Sequence, residues 1–352
     1  MTHQPGPVEV TAGVDTHTDT HMAAALDQLG RPLGTRQFPA TIAGYRALLA
    51  WLQGLGTLTA VGVEGTGSYG AGLARHLHDH AVPVIEIDRP DRKDRRRHGK
   101  TDTLDAIAAA RAVQSGRATA VPKARTGPVE AIRVLRSVRR SAIQARTAAL
   151  NELTALLVTA PETLRAQLHG LNTTALVTTC AGLRPGTDLT CPLTATKTAL
   201  RRLARRIQQL STEITDADTQ LTTLVPATAP RTTALFGFGP DTAGQLLTTA
   251  GDNPTRLHSE AAYAHLCGTA PIPAASGRTT KHRLNRAGDR QANAALHRIV
   301  IVRMRHCPRT RAYVTRRTTE GLSKRDIIRC LKRYAAREAY HAIQADLANL
   351  TT

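Results

Sequence analysis

A chain of 352 residues is long enough for two or three domains, each with a real core. It carries 47 Lys and Arg against 27 Asp and Glu, a net charge of +20, and 40 of the basic residues are Arg, whose planar fork of donors suits phosphate, so a nucleic-acid partner is expected. No apolar run approaches the roughly 20 residues of a membrane span, the opening MTHQPGPVEV lacks the pattern of a secretory signal, and the five cysteines show no zinc-like pairing; the expectation is a reduced, soluble cytoplasmic protein with no membrane partner.

The apolar, β-branched run Val8–Val14 predicts a first strand ending in Asp15. Two further strands follow at His21–Leu29 and Leu33–Phe38, then a helix over Thr41–Gln53 with apolar positions at Ile42, Tyr45, Leu48, Leu49 and Leu52. Leu58–Val63 is a buried-strand pattern ending in Glu64, Tyr69–His80 a short helix, and Val82–Ile87 a last strand ending in Asp88. This order predicts an α/β layered domain with a mixed central sheet. Thr101 then N-caps a helix whose first turn carries Asp102 and Asp105, an i, i+3 pair on one face.

Acidic residues in a first helical turn also complement the helix dipole, so the pair alone has an ordinary explanation. Asp15 and Glu64 change the balance, because both end apolar strands, and in open α/β sheets the ligand crevice lies at that edge. If the helix beginning at Asp102 packs with its first turn toward the same edge, four carboxylates meet. Such a cluster repels itself unless one or two hard divalent cations are held between the oxygens. Paired ions of that kind stabilise the attacking and leaving oxygens of a phosphodiester. A competing pattern is Gly65-Thr66-Gly67-Ser68-Tyr69-Gly70, which matches G-x-G-x-x-G between strand and helix. Glu64 directly before the first glycine opposes a pyrophosphate, and this strand is the fourth of the domain, so a dinucleotide-binding fold ranks second.

The connector Arg89–Lys100 is dense in charge, and Arg92, Lys93, Arg95, Arg96, Arg97 and Lys100 are expected to meet a phosphate backbone. Pro122–Pro128 and Pro226–Pro230 read as linkers, dividing the chain into 1–120, 129–225 and 230–352. The middle part predicts two long helices, from Val129 to about Pro161 and over Thr194–Leu224, as an antiparallel arm or dimerisation coiled coil. In the last part, Leu235–Ala243 has the glycine-bounded turn of a helix-hairpin-helix unit, where Gly237 and Gly239 would expose N–H groups to a phosphate. Ser276-Gly277 lies in a loop followed by Arg278, Lys281 and Arg283, cations that would stabilise a phosphate placed at the serine. Asn293–Arg305 and Lys324–Ala348 close the chain as helices.

GVDTH around Asp15, VEGTGSYG after Glu64, KTDTLDA over Asp102 and Asp105, LFGFGPDTAGQLLTTAGD and GDRQANAAL occur in an order that resembles the DEDD-type transposases of the insertion-sequence 110 family, relatives of the pilin-gene invertases. Phe236 and Phe238 stand where that family often has smaller aliphatics, and Asp289 falls near a segment that is usually basic. The resemblance implies a RuvC-like (RNase H-like) N-terminal domain, a helical coiled-coil middle and a mainly α C-terminal transposase domain. It implies Mg²⁺ held by Asp15, Glu64, Asp102 and Asp105, and a serine nucleophile at Ser276. It further implies donor and target DNA as substrates, a structured non-coding guide RNA, and a dimer or tetramer. The residues themselves also allow a metal-dependent Holliday-junction nuclease that uses only the carboxylates, or a nucleic-acid-binding protein without catalysis.

Overall fold

The computed structural model describes residues 8–87, 101–278 and 282–350. They divide into two compact units: residues up to Thr126 with Gly251–His258, and Gly127–Ala250 with the remainder from Ser259.

The first unit is built on a five-stranded sheet of order β3-β2-β1-β4-β5. Its strands are β1 (Glu9–Thr16), β2 (Thr20–Leu26), β3 (Pro32–Pro39), β4 (Thr57–Glu64) and β5 (Val84–Ile87). β1 pairs antiparallel to β2 and β2 to β3, whereas β1, β4 and β5 are parallel, so β2 alone runs against the other four. This mixed sheet is consistent with an RNase H-like domain. The dinucleotide-binding alternative fails here for a topological reason: that fold begins with parallel strands joined by helical crossovers, and this chain begins with two hairpin connections.

Side-chain alternation divides β1 cleanly. Val10, Ala12 and Val14 enter an apolar core with Leu48, Leu49 and Leu52 of α1 (Ile42–Gly54) and Leu73 and Leu77 of α2 (Ala71–Asp79). Thr11, Gly13 and Asp15 point to the opposite face, which α3 (Asp102–Gln114) covers. β2 ends at Leu26, three residues earlier than its apolar run predicts. Asp27 accepts N–H bonds from Leu29 and Arg31 and an Arg31 guanidinium bond, all at 2.9 Å, which turns the chain.

In the second unit, α4 (Gly127–Val158) and α7 (Pro192–Thr228) lie side by side. Arg139 meets Asp218, while Ala149 and Leu153 share a core with Leu200, Ala204 and Ile207, so the two helices are antiparallel. Between them lie α5 (Glu162–Leu168) and α6 (Thr173–Ala181), whose Leu164, Leu168, Val177 and Cys180 enter the same core. Beyond come α8 (Pro230–Thr233), α9 (Pro240–Ala250), α10 (Glu260–Leu266), α11 (Arg290–His306), α12 (Pro308–Thr319) and α13 (Lys324–Leu350). α12 had no counterpart in the sequence reading. Asp346, fully buried, fastens the last helix to α8 through the amides of Arg231 and Thr232 and the Thr232 hydroxyl.

Candidate active site

α3 forms because its cap and composition agree. Thr101 is extended and its hydroxyl accepts from the Leu104 amide, and the helix behind it is rich in alanine. Its small face rests on the sheet at a pair of glycines in register, Gly13 of β1 and Gly62 of β4. A Cβ on Gly13 would stand 2.2 Å from the Ala106 carbonyl oxygen and 2.2 Å from the Ala110 nitrogen, and one on Gly62 would stand 2.7 Å from Val113. The helix backbone therefore lies almost on the strand backbone, and its first turn reaches the carboxyl ends of β1 and β4.

There Asp15 and Asp102 come together. Asp15 and Asp105 are buried, Glu64 is half-buried and Asp102 exposed. Asp15 lies on the α3 side of β1, two residues beyond Gly13. Continuing the register past Val14 and Val63 puts Glu64 beside Asp15 on the neighbouring strand, facing the same way. The Thr16 hydroxyl ties the two strand ends together by donating to the Glu64 carbonyl at 2.8 Å. Asp105 occupies the same helix face as Asp102, one turn along.

His17, two residues beyond Asp15, joins this group. Its Nε2 lies 3.4 Å from an Asp102 carboxylate oxygen and its Nδ1 3.9 Å from an Asp15 oxygen. One ligand atom from each of Asp15, His17 and Asp102 fits within 4.8 Å of the others. Two carboxylates and an imidazole at this spacing suit a divalent cation, with the hard oxygens dominating and the nitrogen broadening the choice toward transition metals. The signal was present in GVDTH, since a residue two beyond a strand-terminal Asp falls near the same edge. Two basic groups also come from segments read as linker or as part of another domain. The Arg125 guanidinium lies 3.1 Å from where a Gly67 Cβ would be. Arg256, from the returning Gly251–His258 segment, stands 3.9 Å from Glu86, whose other oxygen accepts the Thr66 hydroxyl.

Of the expected phosphate-contacting residues, Arg92, Lys93, Arg95, Arg96, Arg97, Lys100 and Lys281 lie outside the described residues. Ser276 belongs to the second unit. It is exposed in the connection between β6 (Ile272–Pro273) and β7 (His282–Arg283), as are Arg278 and Arg283. Gly237 takes the left-handed conformation that its turn requires (φ +83°), and a Cβ on Gly239 would meet open space. The first turn of α9 beyond them carries Asp241, held by Arg136 at 2.6 Å, Arg298 at 2.6 Å and Arg139 at 3.5 Å. Burial alone would raise the Asp241 carboxyl, but these guanidiniums outweigh it and hold it below the ordinary carboxylate range. Asp289, the acidic departure, is the cap of α11, accepting from the amides of Gln291 and Ala292.

A five-stranded mixed sheet with Asp15, His17 and Asp102 grouped at the carboxyl ends of its parallel strands is consistent with an RNase H-like nucleic-acid enzyme. Residues 12–160 match a family described as transposase, the DEDD type of IS110, and residues 230–315 match the transposase IS116/IS110/IS902 family. The chain belongs to the IS110 family of transposases. It is also similar to the insertion element IS900 uncharacterized 42 kDa protein of Mycobacterium paratuberculosis, 30% identical over 127 residues. That match covers 35% of this chain and 32% of the relative, so the chain spans about a third of the length of the curated relative it matches. No helix among the described residues is long and apolar enough to cross a membrane.

Proposed function

We propose that this protein is the recombination enzyme of an insertion sequence, working in the cytoplasm on donor and target DNA. The observation that carries this is the convergence of buried Asp15 with Asp102, through His17, at the carboxyl edge of the parallel strands. Asp15, Glu64, Asp102 and Asp105 would hold Mg²⁺, which when bound supplies charge stabilisation for a phosphodiester in displacement. The carboxylates themselves fix where the scissile phosphate can sit, and His17 stands within 4 Å of both Asp15 and Asp102. The Ser276 hydroxyl is the proposed nucleophile. Its oxygen bonds to phosphorus as its proton is released, one sugar oxygen departs and takes up a proton to become a hydroxyl, and the strand is held as a phosphodiester to the serine until a second strand's hydroxyl attacks and the serine regains its proton.

In this reading the basic connector (Arg92, Lys93, Arg95, Arg96, Arg97, Lys100), the Gly237–Gly239 turn and Arg278, Lys281 and Arg283 position phosphates. A structured guide RNA selects the sites, and the antiparallel helix pair joins copies into a dimer or tetramer. The test is strand cleavage with Mg²⁺ present or chelated. Asp105→Asn is expected to lower cleavage at least a hundredfold while leaving nucleic-acid binding intact. Ser276→Ala is expected to abolish covalent protein–DNA adducts. Metal-dependent cleavage that persists in Ser276→Ala would replace this reading with a junction nuclease, and tight binding with no cleavage under any condition would leave a non-catalytic binding protein.

A further inference from the structure

The second unit holds a cavity of about 820 Å³ that the acidic site and the Ser276 hairpin do not use. It opens between the turn after α8, the end of α11, α12 and the middle of α13, in the size range of pockets that bind small ligands, roughly 300–1,000 Å³. Its composition is unusual for this chain, which has only one Trp, six Tyr and three Phe. Phe236, Tyr313 and Tyr334 all line this one cavity. Phe236 is 52% exposed and Tyr334 48% exposed, so large rings face solvent where burial would ordinarily be favourable. Tyr313 and Tyr334 meet edge to face at 5.8 Å, which holds both rings in place.

Cations share the same walls. Arg309 and Arg316 line the cavity, and the Arg316 guanidinium sits 5.5 Å over the Tyr313 ring. Arg309 has no carboxylate partner among the described residues, whereas Arg303 is neutralised by Glu338 at 2.7 Å. The amino end of α12 opens into the cavity at Cys307, Arg309 and Thr310. Hydrogen bonds from Thr310 and the Arg309 amide hold the Cys307 thiol below its ordinary range, a sign that this end favours negative charge. Arg316 is paired with Glu320 at 3.7 Å, so Arg309 is the guanidinium left for a ligand; exposed rings beside it match the two parts of a nucleotide: a flat base that stacks and a phosphate that needs donors.

We propose that this cavity takes an unpaired nucleotide of a single-stranded nucleic-acid segment, its base stacked on Phe236 and Tyr334 and its phosphate held by Arg309 and the α12 amino end. The inference rests on the reading that the partner is nucleic acid, and not on the chemistry of the acidic site. A paired base cannot enter, because its faces are already stacked within the duplex. The site therefore separates unpaired from paired segments without reading sequence.

The experiment uses the full chain and short oligonucleotides carrying 2-aminopurine, as single strands of DNA, single strands of RNA and the matching duplex. Binding is followed by anisotropy and stacking by quenching of the probe. Phe236→Ala and Tyr334→Ala are each expected to weaken single-strand binding roughly five- to a hundredfold and to relieve quenching, with duplex affinity unchanged. Tyr334→Phe, which keeps the ring, is expected to restore both. Whichever of the DNA or RNA strands responds more strongly identifies the natural source. Unchanged single-strand affinity and quenching in both alanine variants, with duplex binding intact, overturns the pocket and leaves the transposase reading standing. Failure of the wild-type chain to bind any of the three probes overturns both. Loss of self-association in the alanine variants, without an effect on single strands, would assign the cavity to a second copy of the chain instead.

Discussion

Gly13 shows how one residue sets the geometry of the acidic site. Its backbone is an ordinary strand backbone, and the need for glycine is steric: the α3 main chain occupies the space of a side chain, 2.2 Å from where a Cβ would be. Gly13→Ala must push α3 off the sheet, and overpacking of this kind typically costs about 1–3 kcal/mol or more. The expected result is a lowered denaturant midpoint together with loss of cleavage, since Asp102 and Asp105 move with the helix. Gly54→Ala is the control. A Cβ there meets nothing within 4 Å, and the substitution should be neutral or stabilise by about 0.4–1 kcal/mol through the unfolded chain. Urea unfolding of both variants checks the contrast. Asp15, Glu64, Asp102 and Asp105 were legible as candidates because strand ends and helix caps are local patterns. His17 was less so, since nothing local ranks a histidine in a turn above its neighbours.

At the scale of elements, the helices of the second unit are fastened by charge as well as by apolar side chains. Asp241 at the start of α9 joins Arg136 and Arg139 of α4 to Arg298 of α11. Asp241→Asn keeps the shape but leaves three guanidiniums facing one another, and is expected to destabilise the fold by about 2 kcal/mol at neutral pH. The carboxyl is held below its ordinary value, so the folded state binds this proton less readily than the unfolded chain. The stabilisation is therefore complete above the unfolded value, about 3.9, and is lost as pH falls through the lower folded value. Unfolding free energies of wild type and Asp241→Asn should differ at pH 7 and converge in strong acid. A difference that survives in acid would mean that packing, and not charge, accounts for the effect. Helix periodicity announced α4, α7 and α13 within a few residues at each end. The short α5 and α6 were hidden because their apolar residues pair with a core supplied by other helices.

At the scale of the whole molecule, the carboxylates and Ser276, to which roles are proposed, belong to different units. If the working centre combines parts from different copies, inactive Asp15→Asn and Ser276→Ala chains mixed together should recover covalent adducts that neither forms alone. Recovery is expected at a fraction of the wild-type level, read on denaturing gels with labelled DNA. No recovery at any mixing ratio would confine each centre to one chain. The first unit also contains Gly251–His258, a segment that follows 124 residues of the second unit in sequence. Arg256 within it reaches the Glu86 end of β5. Reading in chain order could not anticipate that return, because it depends on contacts between residues more than a hundred apart.

By itself the sequence determined the order of the strands and of the longer helices, the mixed sheet, the placement of Asp15 and Glu64 at strand ends and of Asp102 and Asp105 in a first helical turn, and the family resemblance. These follow from alternation, capping and turn chemistry, which act over a few residues. The tertiary structure decided that α3 approaches the sheet at Gly13 and Gly62, that His17 stands between Asp15 and Asp102, and that Phe236, Tyr313 and Tyr334 share one cavity. Each of these depends on how closely separate elements can pack. That distance is set by side-chain volume across the interface, which no local pattern encodes.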